Sequence, residues 1–179
     1  MSRLTVYADD APGTPIERTE DVGAITDTLA AIGVIFERWK SPVRLAPDDS
    51  AEKILAAYKP YLDELMGESG AGSADVIKLR PDSPNLPAIR VKFLSEHIHT
   101  EDEVRFFVHG SGNFILHIAG KIFDVHCTEG DLISVPARTK HWFDAGEAPD
   151  FTALRVFSDA SGWVPHYTGD KISEAFPAA

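Results

Sequence analysis

Phe93-Leu94-Ser95-Glu96-His97-Ile98-His99-Thr100-Glu101-Asp102-Glu103-Val104-Arg105-Phe106-Phe107 sets a His-x-His pair, a carboxylate and an arginine directly ahead of an aromatic, β-prone run. Along a β-strand the side chains of residues i and i+2 leave the same face, so the imidazoles of His97 and His99 converge. Glu103 follows after a stretch short enough for one small turn and brings an oxygen donor to the same point. A lone His-x-His is more often a solvated strand pair than a metal site, so the reading depends on further donors.

A fourth donor is found downstream. Gly130 and Pro136 mark a turn-rich segment, and Lys140-His141-Trp142-Phe143 behind it sets His141 on a separate β-prone run. Three imidazoles and a carboxylate suit divalent iron, nickel, manganese or cobalt, and a six-coordinate ion held by His97, His99, Glu103 and His141 keeps two positions open for a bidentate ligand. Zinc would favour a closed tetrahedron. Arg105 lies two residues past Glu103, on the same face if the strand continues, where its guanidinium would stabilise developing negative charge. The competing reading is an outward arginine in a weak surface ion pair.

The texture around this stretch sets the fold class. From Glu96 onward, short β-rich runs at 104–108, 113–118, 121–127, 132–135, 141–143 and 151–157 alternate with turns at Gly110-Ser111-Gly112, Ala119-Gly120, Glu129-Gly130-Asp131 and Asp144-Ala145-Gly146. Such spacing predicts a sandwich or small barrel, whose closure leaves an interior able to hold a ligand. The first half reads as an α/β lead-in. It has a strand at 4–7, then a helix capped by Thr19 that carries Val22, Ile25, Leu29 and Ile32 and stops at Gly33. A strand at 34–39 precedes a helix starting at Asp48 or Asp49, broken or restarted at Pro60, and a loop at 67–72. A strand at 76–79 and a weakly periodic helix through Leu86, Ile89 and Phe93 complete it.

The expected organisation is one domain over residues 1–179, with N-terminal helices and strands at 1–94, a metal-binding barrel core at 95–167 and a tail at 168–179 that is poorly ordered from Lys171. At 179 residues a chain of this kind buries a core without disulfides or a structural metal. With 17 Lys+Arg against 28 Asp+Glu, the net charge of −11 repels phosphate backbones and anionic lipid, which argues against nucleic acid and membrane partners. The single cysteine, Cys127, has no partner for an internal disulfide and reads as a small core residue in a cytoplasmic protein. All seven histidines lie in the second half, and His109, His117, His126 and His166 have no ligand partner at matching spacing, so they read as structural or exposed.

The spacings HxHxxxExxxxxxG, from His97 to Gly110, and GxxxxxPxxxxH, from Gly130 to His141, resemble the two motifs of the cupin superfamily. Val91, Arg138 and Ala145 depart from it, standing where those motifs usually carry glycine, glycine and asparagine, and none of the three is a ligand position. The resemblance implies a mainly β chain with flanking helices, a cupin double-stranded β-helix or jelly-roll barrel behind the α/β lead-in. Residues 93–107, Gly130-Asp131-Leu132-Ile133-Ser134-Val135-Pro136-Ala137, His141-Trp142-Phe143, Leu154-Arg155-Val156-Phe157 and Gly162-Trp163-Val164-Pro165 further resemble the acireductone dioxygenase family. That likeness is strong over 75–167 and weak before Gly33.

The resemblance implies a metal-dependent dioxygenase of methionine salvage that oxidises 1,2-dihydroxy-3-keto-5-methylthiopentene with O2. With Fe(II) such enzymes form 4-methylthio-2-oxobutanoate and formate; with Ni(II) they form 3-methylthiopropanoate, formate and carbon monoxide. It implies one Fe(II) or Ni(II) per chain on His97, His99, Glu103 and His141, and a monomer. Arg105 matches the position that generates the substrate dianion, Glu96 and Asp102 match acids tied to metal incorporation and conformational coupling, and Phe93, Phe143 and Trp163 match pocket aromatics. On residue chemistry alone, Glu96 should face away from His97 into solvent, and each aromatic is as readily explained by core packing. Two other readings remain open: another cupin enzyme, an isomerase or a dioxygenase of a different diol, and a non-catalytic cupin sensor.

Overall fold

A single strand, Glu103–Ile118, runs through both sheets of the molecule and organises everything else. The computed structural model describes residues 1–40, 45–69, 72–157 and 164–176. Within them the elements are β1 (Arg3–Ala8), β2 (Pro15–Thr19), α1 (Val22–Ala30), β3 (Ile35–Arg38), α2 (Ala51–Ser69), β4 (Ser73–Leu79), α3 (Leu86–Leu94) and β5 (His97–Ile98). They continue as β6 (Glu103–Ile118), β7 (Lys121–Thr128), β8 (Asp131–Val135), β9 (Lys140–Asp144), β10 (Phe151–Phe157), β11 (His166–Tyr167) and a 3₁₀ turn at Ile172–Ala175. The first part of β6 pairs with β8 and β10, whose outer neighbours are β3 and β4; the second part pairs with β7 and β9. On that second side the order is β11-β5-β9-β6-β7-β1-β2. Two antiparallel sheets thus share one strand and fold over each other in the jelly-roll manner expected, and strands from before residue 95 complete both.

The turn expected at Gly110-Ser111-Gly112 is instead the bend at which β6 passes from one sheet to the other. Opposite β10 the register slips between Phe107 and His109, so Val108 is an unmatched bulge residue and the inward parity changes. Before the bulge the odd residues Glu103, Arg105 and Phe107 face inward, while Val104, Phe106 and Val108 pack outward on Ile54, Tyr58 and Leu62 of α2. After it, Phe114 and Leu116 face inward and Ile115 packs outward with Trp142 and Phe176. Gly110 has φ +74, and a Cβ there would lie 1.9 Å from the Asp150 carbonyl oxygen, so only glycine lets β10 approach at the bend.

Local chemistry moves several expected boundaries. The cap of α1 is Asp21, whose carboxylate accepts from Ala24 N at 2.8 Å, while Thr19 ends the unanticipated strand β2 and accepts from Asp21 N. Ser50, not Asp48 or Asp49, accepts from Lys53 N at the start of α2; Asp49 pairs with Lys53 instead. Pro60 sits inside α2 without ending it, and the helix continues through Ser69 into the stretch expected to be loop. The tail docks as far as Phe176, which is buried against Tyr7 at a ring separation of 5.7 Å. No helix among the described residues is long and apolar enough to cross a membrane.

Gly110→Ala is expected to destabilise the protein by about 3 kcal/mol or more, combining left-handed strain with backbone overlap. Gly146→Ala, at φ +77 with nothing within 4 Å of the added Cβ, should cost only the conformational term of about 1 kcal/mol. Thermal and urea denaturation of the two variants side by side would check the contrast.

Candidate metal centre

The inward faces of three strands meet inside the barrel. His97 lies opposite His141 in the β5/β9 ladder, His141 lies opposite Leu116 of β6, and Glu103 opens β6. The nitrogens of His97, His99 and His141 lie within 4.8 Å of one another, and all three residues are buried. The Glu103 Oε2 atom is 3.1 Å from His141 Nε2 and 3.5 Å from His99 Nε2, so the four side chains expected to act together are brought together.

Backbone carbonyls fix how these rings point. His97 Nδ1 donates to Ser95 O at 2.7 Å, His99 Nδ1 to Val164 O at 3.2 Å and His141 Nδ1 to Thr139 O at 2.8 Å. A carbonyl only accepts, so in the neutral rings Nδ1 carries the hydrogen and each Nε2 presents its lone pair. Three lone pairs and a carboxylate turned toward each other repel unless a cation or a proton stands among them, which is the donor chemistry of a divalent metal site. Burial pushes the His97 imidazole down to about 4, with the neighbouring His141 acting in the same direction, and burial also lowers His99. For Glu103, burial alone would raise the carboxyl, but Arg105 chiefly, and His141 after it, outweigh it and hold it well below the usual range. Both imidazoles are therefore available as neutral ligands and Glu103 as an anion at neutral pH.

Arg105 faces inward, 4% exposed, and is not a surface ion pair. Its Nη2 donates to Glu103 Oε1 at 2.5 Å, and its guanidinium carbon lies 4.8 Å and 4.7 Å from the ring centroids of Phe114 and Phe143. Nε and Nη1 have no hydrogen-bond partner among the described residues. All of these groups line one cavity of about 200 Å³, which Phe93 and Phe143 close on the apolar side with rings 5.8 Å apart. Phe143 can occupy that wall because residue 112 is glycine: a Cβ there would fall 2.3 Å from its Cζ. Trp163 lies outside the described residues.

Of the two flanking acids, Glu96 departs from the solvated placement expected of it. Glu96 is 1% exposed rather than solvated, and its carboxylate is bound by residues outside the three clustered imidazoles. It accepts from His117 Nδ1 at 2.8 Å and from Thr168 Oγ1 at 2.7 Å, while His117 Nε2 faces Asp9 at 3.2 Å. His117, read from the sequence as structural or exposed, is structural: it links Asp9, just past β1, to the segment carrying His97. The Asp102 carboxylate accepts from Ala137 N at 2.7 Å and pins the turn ahead of His141. In that turn Arg138 adopts φ 64, the left-handed conformation that the glycine of the cupin motif takes without strain, and its N–H donates to His99 O at 2.8 Å. Cys127 is fully buried, and burial raises its thiol well above the ordinary range, as befits a core residue. Lys92, Phe114, Arg155, Phe157, Pro165 and Tyr167 also line the cavity and were not singled out from the sequence. Only Arg155 left a signal: a charged residue alternating inward on an otherwise apolar strand, directly across from Arg105 in register.

A two-sheet antiparallel barrel with imidazoles and a carboxylate converging inside it defines a cupin with a site able to hold a metal ion. Comparison with known proteins narrows the class. The ARD/ARD' family profile matches residues 3–165. The chain is 68% identical over 179 residues to the acireductone dioxygenase of Granulibacter bethesdensis, covering 100% of both, and 62% identical to that of Acidiphilium cryptum, covering 100% of this chain and 99% of the relative. It superposes on acireductone dioxygenase from Bacillus anthracis, a structure with a cadmium ion in its active centre, with TM-score 0.83 and 32% identity over 93% of this chain and 98% of that one. The chain belongs to the ARD/ARD' family, the acireductone dioxygenases, and is by that membership a dioxygenase. The match begins at residue 3, so the N-terminal lead-in is as much a part of the family as the barrel.

The depressed His97 value carries a prediction for the metal-free protein. Between its ordinary 6.5 and about 4 the unfolded chain binds the proton and the folded one does not. Stability should therefore fall as pH drops through that window, by about 3 kcal/mol from this residue. Urea denaturation of chelator-treated protein from pH 7 to 4 should show the decline, with a shallower slope in His97→Gln.

Proposed function

We propose that the chain oxidises 1,2-dihydroxy-3-keto-5-methylthiopentene with O2, using one Fe(II) or Ni(II) held by His97, His99, Glu103 and His141. The observation that carries this reading is Arg105, a buried arginine with two unpartnered donors, in the same cavity as the converging ligands. A divalent ion bound there would supply two positive charges, Lewis acidity and open positions for two vicinal oxygens. The protein's own charges leave room for it. His97 and His99 are neutral, and Glu103 and Arg105 cancel, so the two charges of the ion would be matched by those of a dianionic substrate beside them.

Arg105 acts on the substrate's oxygens. Its Nη2 is held by Glu103, and its Nε and Nη1 donors are left for an enediolate oxygen, which they stabilise as the second proton leaves. The rings of Phe114 and Phe143 beside the guanidinium exclude water and strengthen that interaction. Phe93 and Phe143 form the wall against which the methylthio tail rests. Glu96 and Asp102 act through position: Glu96 fixes the strand of His97 through His117 and Thr168, and Asp102 fixes the turn of His141. The mixed nitrogen and oxygen donor set suits iron and nickel alike, so the products follow the metal loaded. The iron form yields 4-methylthio-2-oxobutanoate and formate; the nickel form yields 3-methylthiopropanoate, formate and carbon monoxide. The excess of acidic side chains and the single buried thiol support a monomeric, cytoplasmic enzyme without nucleic-acid or membrane partners.

Apo-protein reconstituted anaerobically with Fe(II) or Ni(II) should consume oxygen on addition of acireductone, with headspace carbon monoxide from the nickel form only and no uptake by His97→Ala. Metal-loaded protein that binds its ion and takes up no oxygen would leave a cupin acting on another substrate. Arg105→Ala should keep its metal at pH 7.5, by elemental analysis, while kcat falls by about 100-fold. Unchanged turnover would remove Arg105 from the mechanism.

A further inference from the structure

Three cationic side chains line the cavity, and their charges are not equally satisfied. Arg105 is bound to Glu103 at 2.5 Å and Arg155 to Asp75 at 2.8 Å. Lys92, exposed near the end of α3, has no carboxylate partner among the described residues. Lys92 and Tyr167 also line a second, outer groove of about 770 Å³ between α3 and the residues after β11, so they stand where cavity and groove meet. Tyr167 lies opposite His97 in the β11/β5 ladder with its ring 5.8 Å from the imidazole, and it is 49% exposed. Other charges in the groove are partly engaged: Arg90 faces Asp144 at 3.8 Å, and Asp170 accepts from Ile172 N at 3.0 Å.

We propose that Lys92 is the docking cation for the anionic head of the substrate, where the cavity meets the outer groove that it lines together with Tyr167. The proposal rests on the acireductone reading. An enediol conjugated to a ketone is a vinylogous acid and reaches the protein as an anion, whereas the net charge of −11 gives a field that repels anions. A cation without a carboxylate partner at the opening reverses that sign locally, draws the anion in and passes it to Arg105 deeper in the cavity. The alternative role for a lysine in the last turn of a helix is to complement the helix dipole, which is a matter of stability and not of substrate.

Steady-state oxygen uptake by metal-loaded wild type, Lys92→Gln, Lys92→Arg and Lys92→Glu at low and high ionic strength separates these roles. At low salt, Lys92→Gln should lose about tenfold in kcat/KM, mainly through KM, with a flatter salt dependence. Lys92→Arg should retain both the rate and the salt slope, and Lys92→Glu should fall below the glutamine variant. Wild-type kcat/KM and salt slope in Lys92→Gln, or a loss confined to kcat, would overturn the proposal. Wild-type holoenzyme that takes up no oxygen with acireductone would sink the substrate reading itself, before any variant is compared, and the docking assignment with it.

Discussion

Four lone-pair donors in one buried space repel each other, and that repulsion is the constraint to which the rest of the molecule answers. The imidazoles cannot turn away, because each Nδ1 is tied to a backbone carbonyl. Glu103 cannot leave either, because Arg105 holds it from the other side. A buried carboxylate without compensation would cost several kcal/mol, and in the metal-free protein the ion pair with Arg105 offsets that cost. The converging donors thus favour positive charge among them, and a bound cation would stabilise the native state by what it saves in repulsion.

The bend in β6 meets that demand with one strand. Its first part carries Glu103 and Arg105 inward from one sheet; its second carries Phe114 inward from the other and pairs with β9, which brings His141 and Phe143. Without the bulge at Val108, strict alternation would turn Phe114 and Leu116 outward and expose the side facing the guanidinium. The N-terminal strands have a supporting part. β3 and β4 extend the first sheet through β8 and β10, α2 seals its outer face, and β1 backs the second through β7.

What the sequence made legible follows from how local each signal is. The His-x-His pair, Glu103 and Arg105 lie on one short stretch, where strand alternation fixes their facing, and His141 follows from a marked turn. Strands β7 to β10 are legible for the same reason, since glycine and proline mark the turns between them, whereas β11 reads as loop from the sequence. Gly110 and Gly112 misled because a glycine pair spells a turn locally, whereas here one permits a close approach of β10 and the other makes room for a phenylalanine ring. The burial of Glu96 was beyond local reasoning, since its partners His117, Thr168 and, through His117, Asp9 come from distant parts of the chain. Ser50 in place of Asp49 as the helix cap is a choice among adjacent polar residues that depends on Asp49 finding Lys53.

The cavity has a polar end and an aromatic end, and this polarity decides how a ligand can sit. Arg105 and the converging donors occupy one side; Phe93 and Phe143 meet edge to face on the other. Phe143 belongs to both, since its face lies 4.7 Å from the guanidinium while its ring also packs on Phe107 and Phe151 of the core. Anchored in the core, that ring cannot swing aside without opening a cavity in it, so it positions the guanidinium and fixes the wall at once. On the acireductone reading, the diol head would lie toward Arg105 and the thioether sulfur toward the aromatic wall. A ligand that is polar throughout would leave buried aromatic surface against its hydroxyls, and a wholly apolar one would leave the Arg105 donors unpaired. Either loss is on the order of 1–3 kcal/mol per group, enough to select among diols by shape and polarity.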